Sequence, residues 1–154
     1  MRLSKRSEYG IRALIDLAFI YDQGPIHIDD IANREKIPVK FLQQVLLTLK
    51  HAGILHSKKG ANGGYYLARA PQEITLGEVI RVLDGPLAPI RCVSKMAYEE
   101  CNCPVGEERC GLRIIMGEVR DAIAGILDHT TLADVCAHAV SPLESETSGS
   151  IKLN

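Results

Sequence analysis

The spacing of apolar positions changes along this 154-residue chain, and the changes mark out its elements. Between Lys5 and Tyr21, residues Ile11, Leu14, Ile15 and Ala18 recur at i, i+3, i+4 and i+7, which predicts a helix with one buried stripe. Gly24-Pro25 ends it. Ile28, Ile31 and Ala32 predict a second, short helix over Ile28–Glu35 facing the same core. After a tight connection through Lys36-Ile37, Pro38 suits the first turn of a third helix, where its missing N–H costs nothing. That helix, about Pro38 to Ala52, turns Leu42, Val45, Leu46 and Leu49 inward and leaves Lys40, Gln43, Gln44 and Lys50 outward. Gly53 suits the left-handed residue that closes a helix. Ile54-Leu55 begin a strand, KKGANGG over 58–64 turns, and Tyr65-Tyr66-Leu67 return as its partner. Two helices, a candidate recognition helix and a two-stranded wing make a winged helix-turn-helix.

Pro71 marks a boundary, and Thr75-Leu76-Gly77-Glu78 reads as a capping box opening a helix from Leu76 to Leu83. Gly85-Pro86 and Pro89 then break the chain. A longer helix is expected from Leu112 to Leu127, with apolar residues at 112, 115, 119, 122/123 and 126. Alternating three- and four-residue steps make a heptad-like seam suited to pairing with another helix, a symmetry mate included. Thr130-Thr131 end it, and Leu132–His138 form a last helix. The polar tail SPLESETSGSIKLN reads as disordered. The expected organisation is a DNA-binding unit over 1–70, a cysteine-rich loop and dimerisation helix over 71–140, and a tail over 141–154. The fold class is mainly α with a small β-hairpin.

Charge sharpens this picture. The net of −1 conceals eleven Lys/Arg against six Asp/Glu in residues 1–70, and seven against thirteen in the remainder. A basic front suits phosphate, and an acidic rear does not. The N-terminal MRLSKRSEYG lacks the apolar stretch of a signal peptide, and no run approaches the roughly 18 apolar residues of a membrane span. A cytoplasmic protein without membrane contact is expected. There the reducing thiol pool disfavours structural disulfides, and clustered cysteines serve as ligands or redox groups.

Four of the five cysteines, Cys92, Cys101, Cys103 and Cys110, fall within nineteen residues with spacing C-x8-C-x-C-x6-C. Thiolates gathered this closely suit a soft metal centre, either an iron–sulfur cluster or zinc. The spacing does not separate the two, although it lacks the paired C-x2-C knuckles of a zinc ribbon. Cys136, in LADVCAHAV, reads as a small buried residue. The five histidines show no paired metal spacing and read as surface residues. No C-x-x-C motif, nucleotide-binding glycine pattern or acid–base constellation accompanies the thiols, so no catalytic residue is assigned and no enzyme is expected.

Lys40, Gln43 and Gln44 place donors and acceptors at the outward N-terminal end of the candidate recognition helix. A glutamine can pair bidentately with adenine, and a lysine can reach guanine or a phosphate. Lys58, Lys59 and Gly60 at the wing tip allow close approach to the backbone or the minor groove.

SEYGIRALIDLA, DDIANREKIPVKFLQQVLLTLKHAGIL, the KKGANGGYYLA wing and ITLGEVIRVLDG, in that order, resemble the Rrf-two family of bacterial regulators. The resemblance runs from Met1 to about Val140. It implies a winged helix-turn-helix homodimer held by a long C-terminal helix on double-stranded DNA with a palindromic operator. By position it also implies base or backbone contacts from Lys40, Gln43, Gln44, Lys58, Lys59 and Gly60. Many members hold a 2Fe–2S or 4Fe–4S cluster through three loop cysteines, to which Cys92, Cys101 and Cys110 correspond. Cys103 is additional: it either supplies a fourth ligand or is a spare thiol. In some members a residue of the partner subunit's first helix completes the set, and Glu8 stands at that position. A helix N-terminal acid also interacts favourably with the helix dipole. IscR-type proteins place a histidine after the last cysteine where this chain has Arg113, and often a glutamate where it has Gln43. The resemblance therefore implies a regulator controlled by an iron–sulfur cluster. A cluster-free thiol-redox or zinc-stabilised regulator is the alternative, and an iron–sulfur or thiol oxidoreductase a more distant one.

Overall fold

The computed structural model describes residues 2–139. The polar tail at 141–154 lies outside them. Six helices and one antiparallel hairpin follow in the order α1 (Lys5–Phe19), α2 (Ile28–Glu35), α3 (Val39–His51), β1 (Leu55–Lys58), β2 (Gly64–Leu67), α4 (Leu76–Asp84), α5 (Gly111–Leu127) and α6 (Leu132–His138). The expected mainly helical, winged architecture is what forms, with element ends differing by a residue or two. Pro38 sits just before α3 as its N-cap rather than inside its first turn.

Local chemistry sets these boundaries. Ser4 caps α1 by accepting from the Ser7 N–H, and its own N–H donates to Asp84 at 3.0 Å, tying α1 to the end of α4. Lys36 closes α2 in the left-handed conformation. Thr75 accepts from the Glu78 N–H as the capping pattern predicts. The reciprocal half does not form, because Arg69 takes the Glu78 carboxylate at 2.6 Å. A complete box stands instead at Thr131 and Asp134, opening α6.

The core is built between α1, α2, α3 and α4. Leu42, Val45, Leu46 and Leu49 are all buried, so the α3 stripe is as expected. On α1 the buried face is Gly10, Ala13, Leu14 and Leu17, whereas Ile11, Ile15 and Ala18 are only half-buried. The helix is surrounded by α2, α3, α4 and α6, and the tightest packing falls on the small residues. At Gly10 an added Cβ would collide with Leu83 of α4 and press on Val45 of α3. Ile74, Val79, Leu83 and Leu132 join the same core from beyond residue 71.

Asp16 is also buried, at 1% exposure, and accepts from Arg34 Nε at 2.9 and 3.2 Å and from Nη2 at 2.7 Å, locking α1 to α2. The wing pairs Leu55 with Leu67 and Lys58 with Gly64. Ile26, just before α2, adds a third short edge by exchanging hydrogen bonds with Tyr65 at 2.8 and 2.9 Å. Gly64 permits that approach: its φ is +149°, and a Cβ there would strike the Ile26 carbonyl.

The long helix α5 differs from the rest. None of its residues is buried, and Leu112, Ile115 and Ile126 are 62%, 51% and 67% exposed. It meets the remainder of the described residues through a half-buried face that carries Arg113, Met116, Arg120, Ile123, Ala124 and Leu127. Arg81 of α4 makes a two-pronged ion pair with Asp128 at its C-terminal end, at 2.5 and 2.9 Å. No helix among the described residues is long and apolar enough to cross a membrane.

Candidate functional site

The first candidate surface is the outer face of α3 with the wing. Lys40, Gln43 and Gln44 are all exposed, and they share one helical face because their spacing is i, i+3 and i+4. Leu47 continues that face one turn on and is 44% exposed. It was not among the residues expected there, and its only signal is an apolar position off the buried stripe. A leucine on a reading face offers apolar contact of the kind a thymine methyl accepts. Arg6 of α1 donates to the Thr48 hydroxyl at 2.6 Å, and that hydroxyl donates to the Gln44 carbonyl at 3.0 Å, bracing the outer surface of α3. Tyr9 and Phe41 meet edge to face at 5.6 Å beside it.

At the wing, Lys58, Lys59 and Gly60 are exposed on a turn closed by the Gly63 N–H on the Gly60 carbonyl at 3.0 Å. Among the described residues, Lys40, Lys50, Lys58 and Lys59 have no acidic partner within 4.0 Å, whereas in the rear half Arg81, Arg91, Lys95, Arg113 and Arg120 have one and Arg109 does not. Unpaired ammonium groups on one surface are available to a polyanion.

The second candidate site is the segment between α4 and α5. Two 3-10 turns, Arg91–Val93 and Glu107–Arg109, bracket it, and Cys92, Cys101, Cys103 and Cys110 all line one open cleft of about 420 Å³ with Ile90 and Leu112. All four are free thiols. They stand in two pairs, Cys101 against Cys92 and Cys103 against Cys110. Burial and the Cys92 contact push the Cys101 thiol up. The Val105 N–H lowers Cys103, but contact with Cys110 and partial desolvation carry it upward on balance. Cys110 is the opposite case. It is the N-cap of α5, and the Arg113 N–H, then the Cys103 thiol, hold it below the ordinary thiol value. Among the described residues, no three His, Cys, Asp or Glu side chains converge closely enough to enclose an ion as they stand. The cleft thus gathers four soft donors in two pairs that a bound centre would have to draw together.

Glu8 is not among the residues lining this cleft. Lys5 at 2.8 Å, with Arg12 at 4.0 Å, holds its carboxyl below the usual range on the exposed N-terminal turn of α1. Cys136 also stands apart. Rather than fully buried it is half-buried, its thiol facing the Ile15 carbonyl at 4.0 Å, and desolvation pushes it up. All five histidines are exposed, as expected, and His27 has a local task as the N-cap of α2, accepting from the Asp29 N–H at 3.4 Å.

Two arginines that composition alone presents as surface cations prove to be anchors. Arg113 donates to the Cys92 carbonyl at 3.3 Å, and Arg120 to the Val93 carbonyl at 2.5 Å. Nothing local in the sequence signals these contacts.

The model of the Rrf2 family, described as an iron-dependent transcriptional regulator, matches residues 3–138. The chain is similar to an rrf2-like HTH-type transcriptional regulator of Rhodobacter capsulatus, with 34% identity over 141 residues covering 88% of this chain and 92% of that one. Its fold is similar to that of CymR, the global cysteine regulator of B. subtilis, at a TM-score of 0.75 and 32% identity, covering 91% of this chain and 99% of that chain. It is also similar to T. potens IscR, at a TM-score of 0.68 and 28% identity, covering 100% and 94%. These relatives are regulators and not enzymes, and the chain belongs to the Rrf2 family of transcriptional regulators.

Proposed function

We propose that this regulator binds a palindromic operator in double-stranded DNA as a homodimer, and that a metal centre on its cysteine segment controls the binding. Lys40, Gln43 and Gln44 enter the major groove, while Lys58, Lys59 and Gly60 lie on the backbone or minor groove. The apolar face of α5, uncovered among the described residues, pairs with its symmetry mate. Two-fold pairing must then set the recognition helices about one DNA turn apart, roughly 34 Å. Gln43 is uncharged where IscR-type proteins often have a glutamate, so the IscR-type operator is not carried over to this chain. On this reading residues 1–70 carry DNA contact and 71–140 carry sensing and dimerisation in a cytoplasmic regulator.

The observation that carries the sensing proposal is the meeting of four thiols in one cleft at the start of α5. An iron–sulfur cluster, 2Fe–2S or 4Fe–4S, takes thiolate ligands, so the donor chemistry fits. Cys92, Cys101 and Cys110 would hold it, with Cys103 as fourth ligand and Glu8 of a partner subunit as the alternative. The position of Cys103 in the cleft, and the engagement of Glu8 by Lys5, favour the first. Such a group would supply a centre whose charge and integrity respond to iron supply and oxidants. The chain's own part is to place Cys110 at the start of α5 and so link the cleft to that helix. Anaerobic purification followed by absorption, iron and sulfide assays, and selection of bound DNA with and without the cluster, tests this reading. Iron and sulfide together with cluster-dependent DNA binding are expected. Protein lacking both iron and sulfide defeats it.

The pairing of the thiols favours a second reading, a cluster-free regulator in which oxidation joins Cys92 to Cys101 or Cys103 to Cys110. Disulfide mapping of metal-poor protein after peroxide treatment separates the two.

A further inference from the structure

The way α5 is fastened carries an inference about how the cysteine cleft acts. None of its residues is fully buried, and beside its half-buried apolar side chains it is held by directed polar contacts. Its C-terminal end is fixed to α4 by Arg81 and Asp128. α4 is in turn joined to the end of the wing by Glu78 and Arg69 at 2.6 Å. Near its N-terminus and at its middle, α5 is fixed to the cysteine segment by two guanidinium groups. Arg113 and Arg120, seven residues and so about two turns apart on one face, donate to the consecutive carbonyls of Cys92 and Val93 at 3.3 and 2.5 Å. Each arm is itself braced. Asp121 accepts from Arg120 in a two-pronged pair at 2.9 and 2.8 Å and also meets Lys95 at 3.2 Å, while Glu107 lies 3.5 Å from Arg113.

Cys92 is buried, in the short 3-10 turn Arg91–Val93. A centre that drew the Cys92 thiol towards Cys103 and Cys110 would pull on that turn, and on the two carbonyls it carries. A guanidinium bonded to a peptide carbonyl is a directional link compared with apolar sliding, because its planar fork fixes where the carbonyl must lie.

We propose that Arg113 and Arg120 are positioning residues that transmit occupation of the cysteine cleft to α5, and through Asp128, Arg81, Glu78 and Arg69 to the wing. The proposal rests on the reading of the cleft as a thiolate-bound centre.

The test uses the full-length protein and the double variant R113Q/R120Q. Cadmium(II), a thiolate-seeking ion, is titrated in while sulfur-to-metal absorption reports loading, and amide exchange over 111–127 reports α5. Both proteins should load equally, with α5 protection changing in wild type and remaining static in the variant. Operator affinity with and without a reconstituted iron–sulfur cluster is the second readout. A coupling of the usual size, about five- to 150-fold in wild type, should fall towards unity in the variant while unloaded affinity stays within about twofold. Should R113Q/R120Q fail to dimerise, R120K, which keeps the charge but not the fork, takes its place with an intermediate response expected. An α5 response equal to wild type in the variant tested, or none in wild type, overturns the proposal. A wild type whose α5 responds to cadmium but whose DNA affinity ignores the cluster leaves the link standing and defeats the sensing reading instead.

Discussion

Replacing Arg34 with methionine should be among the most damaging single changes outside the apolar core. The side chain of Asp16 is 2% exposed and that of Arg34 21%. The carboxylate takes three guanidinium contacts between 2.7 and 3.2 Å. Methionine preserves most of the apolar stem of the arginine, so the principal loss is the charge partner. Leaving a buried carboxylate unpaired costs about 3–5 kcal/mol, a large part of the roughly 5–15 kcal/mol that holds a domain folded. With a urea slope of about 2 kcal/mol per molar, the unfolding midpoint should fall by about 2 M. The assay is urea unfolding followed by circular dichroism at fixed protomer concentration, since self-association would enter the apparent stability. The double variant D16L/R34M removes both charges and should recover to within about 1 kcal/mol of wild type, because an apolar pair of similar volume replaces a buried ion pair at little cost. A single-variant loss below about 1 kcal/mol would refute the reasoning. So would a double variant as unstable as R34M, which would show that shape and not the stranded charge sets the cost.

Three further outcomes are expected. Replacing Lys58 and Lys59 with alanine should reduce the slope of log affinity against log salt by about 2, since each phosphate contact contributes about 0.9; anisotropy titrations over a salt series that return an unchanged slope would remove the wing from the interface. In chelator-treated protein at neutral pH, iodoacetamide should label Cys110 ahead of Cys101 and Cys103, and Cys136 slowly, because the Arg113 N–H lowers the first and desolvation raises the last; mass spectrometry of timed samples gives the order. The Arg120 guanidinium, with Lys95, pushes Asp121 down to about 2, and Arg81 holds Asp128 below the usual range. Folded values below the unfolded ones contribute stability above the ordinary carboxylate range that is lost as pH falls through the folded values. The urea midpoint should therefore drop between about pH 4 and pH 2, and less steeply in D121N, an equal drop in both speaking against the ion pair.

How far the fold was legible varied with how each helix is surrounded. The second helix and the last have the residue limits their patterns predict, and the core face of α3 is the one its spacing marks, because that helix has one apolar stripe and one polar face. On α1, apolar residues cover more than one stripe, and neighbours on several sides decided that Gly10, Ala13, Leu14 and Leu17 go deepest. The half-formed capping box at Thr75 shows the same limit, since Arg69 competes for the glutamate from outside the helix. For the candidate site, the thiol cluster and the outward Lys40, Gln43 and Gln44 could be read directly, whereas Leu47, Arg113 and Arg120 could not.

By itself, the sequence determined the winged helix-turn-helix plan, the regulator family and the residue types available to DNA and to a soft metal. Those properties reside in periodicity, turn chemistry and ordered motifs, which are local. Only the tertiary structure decided that Asp16 meets Arg34, that the cysteines stand as Cys92 with Cys101 and Cys103 with Cys110, and that two arginines fasten α5 to the carbonyls beside the first of them. Such contacts join residues brought together by packing, and a charged side chain has the same local pattern whether it ends in solvent or on a buried partner.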